Sequence, residues 1–176
     1  MKLEVGDVLF SMTHGNPISE LFSKVMGSPW SHSAICFGEL NNETALLETN
    51  DYCVNINFFQ RYVEDKNVSV HVLRRPGGLS HVERKKVQEQ GRPLIGQLYG
   101  YLQLPILALR RLFKLRFRNF SRQGLVCCHV IGYSYQGIFS PMGEIKPESF
   151  DTQELYQMLV DAKWEVVFDK KSSLAA

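Results

Sequence analysis

The sequence lacks the features that mark exported and membrane-spanning chains. Its first residues contain no apolar segment of the kind that a secretory signal requires. Its uninterrupted apolar runs are far shorter than the roughly 20 residues that cross a bilayer. From these absences we expect the chain as given to be cytoplasmic.

Cysteine is scarce, and its spacing fits no common zinc or redox motif. The four cysteines are Cys36, Cys53, Cys127 and Cys128. The two adjacent thiols are poor disulfide partners for each other, and in a reducing compartment free thiols are the default. We therefore predict no cofactor and no metal, and a metal site built from His32, Cys127, Cys128 and His129 is the weakest hypothesis considered.

Repeats, low-complexity segments and linkers are also absent. The chain has 176 residues, of which 44% are hydrophobic and 22% charged, which is ordinary for a globular protein. This length predicts a single domain over residues 1–176. A net charge of only +2 excludes a chain that binds polyanions with its whole surface.

The order of turns and apolar residues predicts strands in the first half and helices in the second. Strands are predicted over 6–10, 31–37, 44–49, 54–58, 68–73 and 164–168. Helices are predicted from Asn16, from Ser80, over 104–120, from Cys127 and from Asp151. The fold class is therefore α+β, with a small antiparallel sheet packed against several helices.

Cys127 is a candidate nucleophile because a new helix is predicted to begin there, after a break at Gly124. The first turn of a helix presents unpaired N–H groups and a partial positive charge, which stabilise a thiolate and an oxyanion. Two small residues in an ordinary core helix would give the same local pattern. The local sequence leaves both interpretations open.

His32 is the candidate base, because it opens an apolar strand that would hold its ring rigidly. His129 points away from Cys127 on a helix, and His71 lies between valines where an outward-facing side chain is expected. Glu48 lies in an apolar strand, where a carboxylate is costly unless it is paired. Pairing with His32 would orient the imidazole, whereas a structural histidine and an edge-strand glutamate are the alternatives.

In this order, these segments resemble the circularly permuted branch of the NlpC-like papain-fold cysteine peptidases, the YiiX/YaeF-like group. The resemblance rests on a Gly-Asp-hydrophobic strand, a Ser-His strand, a strand ending in Glu, a Gly-x-x-Tyr segment, the Cys helix start and a Pro-containing segment. These lie at residues 6–10, 31–35, 46–48, 96–99, 126–130 and 145–150. The histidine precedes the cysteine, as in the permuted branch.

The resemblance implies a permuted papain-like fold, with a small antiparallel sheet or partial barrel, and a thiol hydrolase of the amidase or peptidase class. It implies that Cys127 forms a thioester acyl-enzyme, that His32 is the base, that Glu48 is the third member and that Tyr99 contacts the substrate. The serine that follows the nucleophile in this group is Cys128 here, so Cys128 is the alternative nucleophile. The substrate would be a peptide or lipid amide or ester.

Two alternatives to an amidase or peptidase remain. Lecithin:retinol acyltransferase-like relatives share the permuted layout, so the chain could be a lipid acyltransferase or phospholipase. A non-catalytic binding module on the same fold is the other alternative.

Acidic residues are absent between Glu89 and Glu144, where basic residues are frequent. Five basic residues share one face of the predicted helix, and they are Arg110, Arg111, Lys114, Arg118 and Arg122. The opposite face is rich in Leu and Phe, which is the pattern of a basic amphipathic helix. It is either a solvated face over a core contact or a docking surface for an anionic membrane. No nucleic-acid partner is expected, because no binding motif is present.

Overall fold

The computed structural model describes residues 2–50, 52–101, 109, 124–139, 146–147 and 150–174. The strands are β1 Val8–Thr13, β2 His32–Leu40, β3 Glu43–Thr49, β4 Val54–Phe58, β5 Val68–Arg74 and β6 Glu165–Lys170. The α-helices are α1 Pro17–Met26, α2 Phe59–Glu64, α3 His81–Gly91, α4 Cys127–Ser134 and α5 Thr152–Asp161, and a 3-10 turn covers Arg92–Leu94. The predicted basic face, at residues 110–122, lies outside the described residues, as does nearly all of the predicted helix over 104–120.

The described strands form one open antiparallel sheet in the order β4-β3-β2-β1-β5-β6. The prediction of an α+β fold with an antiparallel sheet is therefore confirmed. Strands β2 and β3 are joined by a tight hairpin in which Asn41 and Asn42 both have positive φ angles, of 53° and 65°. Asparagine tolerates this conformation better than most residues, which makes such a two-residue turn favourable.

Each face of the sheet is covered by its own apolar cluster, because successive side chains of a strand point to opposite faces. On one face Phe10, Ile35 and Leu47 pack with residues of α3, α4 and α5. On the other face Leu9, Ala34 and Leu46 pack with the start of α2. The described helices are therefore distributed unequally over the two faces of the sheet: α3, α4 and α5 cover one face and α2 covers the other.

The predicted helix starts at Asn16, Ser80 and Asp151 are confirmed by the hydrogen bonds of their caps. The Asn16 side chain accepts hydrogen bonds from Ile18 N and Ser19 N, at 3.0 and 3.2 Å. Ser80 at α3 and Asp151 at α5 each form a complete capping box with the Glu three residues later. These signals are local in sequence, which is why they can be read before any tertiary structure is known.

The structure differs from the sequence-based expectation at two places. Helix α2 was not predicted; it follows β4 directly, and Phe58 at its N-cap forms no side-chain cap hydrogen bond. The outward orientation expected for His71 was wrong: its side chain is only 14% exposed and donates to Asp169 at 3.0 Å. His71 does lie on the opposite face of the sheet from Val70 and Val72. On that face the ring of Trp30 stacks over the imidazole, with centroids 5.4 Å apart, so the side chain is covered.

None of the helices in the described part of the chain has the length and apolar content needed to cross a bilayer.

Candidate active site

The N-terminus of α4 is fixed by the segment that precedes it. Leu125 N donates to Leu98 O at 2.9 Å, and Gly100 N donates to Leu125 O at 3.0 Å. Gly124 makes this close approach with φ at 85°, and a Cβ atom there would lie 2.7 Å from Gly100 Cα. Only glycine fits such a position, so the break seen in the sequence sets the placement of Cys127.

Cys127 is the first residue of α4 and is 7% exposed. Its sulfur lies 3.7 Å from Thr152 Oγ1, at the start of α5. Val126, at the N-cap, forms no side-chain hydrogen bond to the first turn. The partial positive charge of the helix N-terminus therefore acts on the region of the thiol without a capping side chain in front of it.

The structure brings His32 and Glu48 together, and the strand register explains why. Ile35 pairs with Leu47, so Ala34 lies opposite Glu48 and His32 follows two residues along on the same face. His32 Nε2 donates to Glu48 Oε2 at 3.0 Å. The predicted pairing therefore exists as a contact, and it engages Nε2 of the imidazole.

The carboxylate of Glu48 is only 3% exposed, and both of its oxygens accept hydrogen bonds. Asn57 Nδ2 donates to Oε1 at 2.7 Å, while the hydroxyl of Tyr62 donates to Oε2, the oxygen that also faces His32. The Tyr62 ring is almost parallel to the imidazole, at 7°, with centroids 6.4 Å apart. The buried carboxylate thus satisfies the rule that buried charges are paired and hydrogen-bonded.

Asn57 and Tyr62 were both missed by the sequence reasoning. Asn57 lies opposite Leu46 across the β3–β4 pair, two residues from the register position of Glu48. An acid in an apolar strand predicts that donors must surround it, and the amide of Asn57 on the next predicted strand was a findable one. Tyr62 had no comparable signal, because it lies on the unpredicted helix α2.

These contacts shift the pKa values of the carboxyl and phenol groups in opposite directions. Burial alone would raise the pKa of Glu48, but the hydrogen bond and charge of His32, with the bonds from Tyr62 and Asn57, lower it below its usual value. Burial and the adjacent carboxylate raise the pKa of Tyr62 well above that of a free phenol. Glu48 is therefore ionised at neutral pH while Tyr62 remains a hydrogen-bond donor.

The pKa values of His32 and Cys127 are shifted in opposite directions, and each residue contributes to the shift of the other. Burial lowers the pKa of His32, but the hydrogen bonds and negative charges of Cys127 and Glu48 outweigh burial and raise it to about 10. The hydrogen bond from Cys128 lowers the pKa of Cys127 well below that of a free thiol; burial opposes this, and the bond and charge of His32 act in the same direction. Both shifts favour a thiolate beside an imidazolium.

The other described thiols lie in different environments. Burial and the neighbouring Cys127 raise the pKa of Cys128 well above its usual value, and its sulfur donates to Phe150 O at 3.4 Å. Burial raises the pKa of Cys36 to about 12. His129 is fully buried within α4. In the described residues no group of three or more His, Cys, Asp or Glu side chains could hold a metal ion.

A family model for the "permuted papain-like amidase enzyme, YaeF/YiiX" family, numbered C92, matches residues 2–104 of the chain. The match spans more than half of the sequence. The chain belongs to this amidase family. The matched range includes His32 and Glu48 but ends before Cys127, so the thiol enters the site from the part of the chain beyond the match.

The fold of this amidase-family chain is also that of a solved relative. The crystal structure of the metalloprotein YiiX from Escherichia coli O157:H7 superimposes with a TM-score of 0.66 and 16% sequence identity, over 97% of this chain and 99% of that one. At this identity the likeness concerns the fold alone. No curated protein matches the chain significantly. The predicted YiiX/YaeF-like family and papain-like fold are both confirmed.

In this permuted papain-like amidase fold, a cleft with a volume of about 100 Å³ opens at the thiol. Eleven described residues line it: Ile18, Ser19, Phe22, Ser31, His32, Tyr99, Val126, Cys127, Cys128, Asp151 and Thr152. Tyr99, for which the family resemblance implies a substrate contact, is among the residues that line the cleft. Glu48 is not among the lining residues and stands behind the imidazole.

Proposed function

We propose that the protein is a cysteine-dependent amidase in which Cys127 attacks the scissile carbonyl carbon and His32 transfers protons. The observation that carries this proposal is the position of the His32 imidazole, which lines the same cleft as Cys127 and bonds through Nε2 to the buried Glu48 carboxylate. A base held by a third group next to a nucleophile is the arrangement that activates serine and cysteine hydrolases.

The reaction proceeds in two halves. The Cys127 thiolate adds to the carbonyl carbon, and the N–H groups at the start of α4 stabilise the oxyanion that forms. The His32 imidazolium then gives its proton to the leaving nitrogen, the C–N bond breaks and a thioester remains on Cys127. In the second half His32 takes a proton from water, the hydroxyl oxygen attacks the thioester, and the carboxylic acid and the thiol are released.

Several contacts support Cys127 over Cys128 as the nucleophile. The pKa of Cys127 is lowered, whereas burial raises that of Cys128. The Cys128 thiol keeps its proton, which it shares between Cys127 and the carbonyl oxygen of Phe150. Only a thiolate attacks efficiently at neutral pH.

Acyl transfer would differ from hydrolysis only in the acceptor of the second half-reaction. Hydrolysis is the first candidate because the family to which the chain belongs is described as amidases. The test is to add a primary amine to a turnover assay and measure how the acyl group divides between acid and amide. A product ratio dominated by amide at millimolar amine would make transfer the better description.

The proposal is tested by alkylation with iodoacetamide at pH 6, mapped on every cysteine by mass spectrometry. Cys127 should react at least roughly tenfold faster than it does in the His32→Ala variant, because a free thiol with a pKa of about 8.5 is almost wholly protonated at that pH. The Cys128→Ser control keeps a donor beside Cys127 and should retain selective labelling. If Cys127 is labelled equally slowly in the parent and in His32→Ala, the amidase proposal fails. A non-catalytic binding module on this fold is then the remaining hypothesis.

A further inference from the structure

Helix α1 exposes apolar side chains at the edge of the cleft. Ile18 is 79% exposed and Leu21 63%, and Met26 is the only residue of α1 that is fully buried. Yet the two exposed residues differ in position, because Ile18 lines the cleft whereas Leu21 does not. Phe22, one turn after Ile18, also lines the cleft and packs against the main core.

The wall that lines the cleft beyond the reacting groups is mainly apolar. Tyr99 and Val126 contribute to it together with the two residues of α1. Among the described lining residues there is no lysine or arginine. The carboxylate of Asp151 accepts a hydrogen bond from Glu154 N at 2.8 Å as the cap of α5, so it is engaged in the fold.

The cleft adjoins the sulfur itself, since both neighbours of Cys127 in the chain line it. The sulfur carries the acyl group in the thioester. At about 100 Å³ the cleft is smaller than the 300–1,000 Å³ of sites that enclose a drug-sized ligand. It therefore has room for the part of the substrate next to the scissile carbonyl.

We propose that the cleft between Ile18, Phe22 and Tyr99 binds an apolar acyl group, so that the enzyme selects aliphatic acyl substrates over charged ones. This inference rests on the proposed function, because it assigns the acyl side of the same reaction. Its physical basis is transfer of the acyl chain from water to an apolar wall, which is favourable for each methylene group buried. A negatively charged acyl group would lose hydration in the cleft, where the histidine among the described lining residues is already bonded to Glu48 and the carboxylate of Asp151 would repel it.

The test uses p-nitrophenyl acetate, butyrate and hexanoate, which share one leaving group, and p-nitrophenyl succinate as the charged acyl ester. For the parent enzyme kcat/KM should rise about fourfold for each added methylene group up to the size of the cleft. Phe22→Ser should reduce the butyrate-to-acetate ratio by roughly tenfold. Ile18→Ser should reduce it as well, and because Ile18 is so exposed this variant retains the fold if Phe22→Ser does not.

Leu21→Ser is the matched control, on the same helix but outside the cleft, and it should leave the ratio and the acetate rate unchanged. A flat dependence on chain length, a preference for the succinate, or an equal effect of Leu21→Ser would overturn the inference, while Cys127-dependent acetate turnover would keep the proposed function. Absence of any ester turnover together with unselective labelling of Cys127 would overturn both.

Discussion

Replacing Glu48 with glutamine separates the contribution of charge at this position from that of shape. The carboxylate accepts from Asn57 at one oxygen and from His32 and Tyr62 at the other. A glutamine of the same size has one acceptor oxygen and an amide group that only donates. Whichever way it turns, one of these donors faces another donor, and the negative charge beside the imidazolium is lost.

The expected magnitude follows from the contact between His32 and the carboxylate. Hydrogen bonds to charged groups contribute about 1.5–3 kcal/mol, and one pKa unit corresponds to about 1.36 kcal/mol. Loss of the contact should therefore lower the pKa of His32 from about 10 to about 8–9. The imidazolium then gives up its proton at a lower pH, and the thiolate–imidazolium pair is populated over a narrower range.

The assay is an NMR titration of 13C-labelled histidine, with the His32 signal assigned from the His32→Ala variant. Tyr62→Phe is the control, because it removes one donor to the carboxylate but leaves the charge, so the pKa of His32 should stay close to the parent value at pH values where Glu48 is ionised. An unchanged His32 pKa in Glu48→Gln would refute the reasoning and would attribute the raised value to Cys127 alone.

Three further changes test the surrounding structure. Gly124→Ala should destabilise the protein by more than the roughly 1–2 kcal/mol of a left-handed backbone and should slow alkylation of Cys127. The control Gly96→Ala, with φ at 86° and nothing within 4 Å of the added Cβ, should cost only that backbone strain, and equal thermal shifts of the two variants would contradict this. Asp7 is 1% exposed and is bonded to Arg74 at 2.7 Å, so Arg74→Met leaves it as a buried charge without its ion-pair partner. Urea unfolding should show that the free energy of unfolding falls by about 3–5 kcal/mol. A decrease of less than about 1 kcal/mol would be incompatible with that pairing. Hydrogen bonds from a capping serine and an arginine lower the pKa of Glu83 to about 2. The stability that ionised Glu83 contributes is therefore present above its unfolded pKa of about 4.3 and is lost as the pH falls towards 2. The loss of folding stability in Glu83→Gln, about 1 kcal/mol at pH 7, should shrink at pH 2.5 and should not grow.

The sequence could predict those parts of the fold that depend on neighbours in the chain. The cap at Asn16 and the two capping boxes are formed within three residues, and alternation of apolar residues along β5 follows from the pleat. The candidate pair His32 and Glu48 could be found because a charged or titratable residue at an apolar strand needs a partner. The placement of the break at Gly124 could also be seen, since few other residues permit a positive φ.

The rest depends on tertiary contacts that leave no local signal. Helix α2 starts without a capping side chain, and it is held on the sheet by tertiary packing, including Phe59 against Phe168 with ring centroids 5.2 Å apart. Tyr62 reaches Glu48 only because of that packing. Likewise His71 has the strand position of an exposed residue, but Trp30, from a loop 41 residues earlier, covers it.

His32 is the first residue of β2 and lies where the strand ends. Its side chain shares a face with Ala34, on the side where α2 brings Tyr62 to the carboxylate. The thiol comes from α4, which packs with Ile35 on the opposite side. Because His32 is the first residue of the strand, its ring lies at the end of the sheet rather than over its middle, so the imidazole can interact with groups from both layers. The site therefore requires both apolar clusters to be intact. Loosening the cluster of Leu9, Ala34 and Leu46 should disturb the orientation of the His32 imidazole without displacing Cys127.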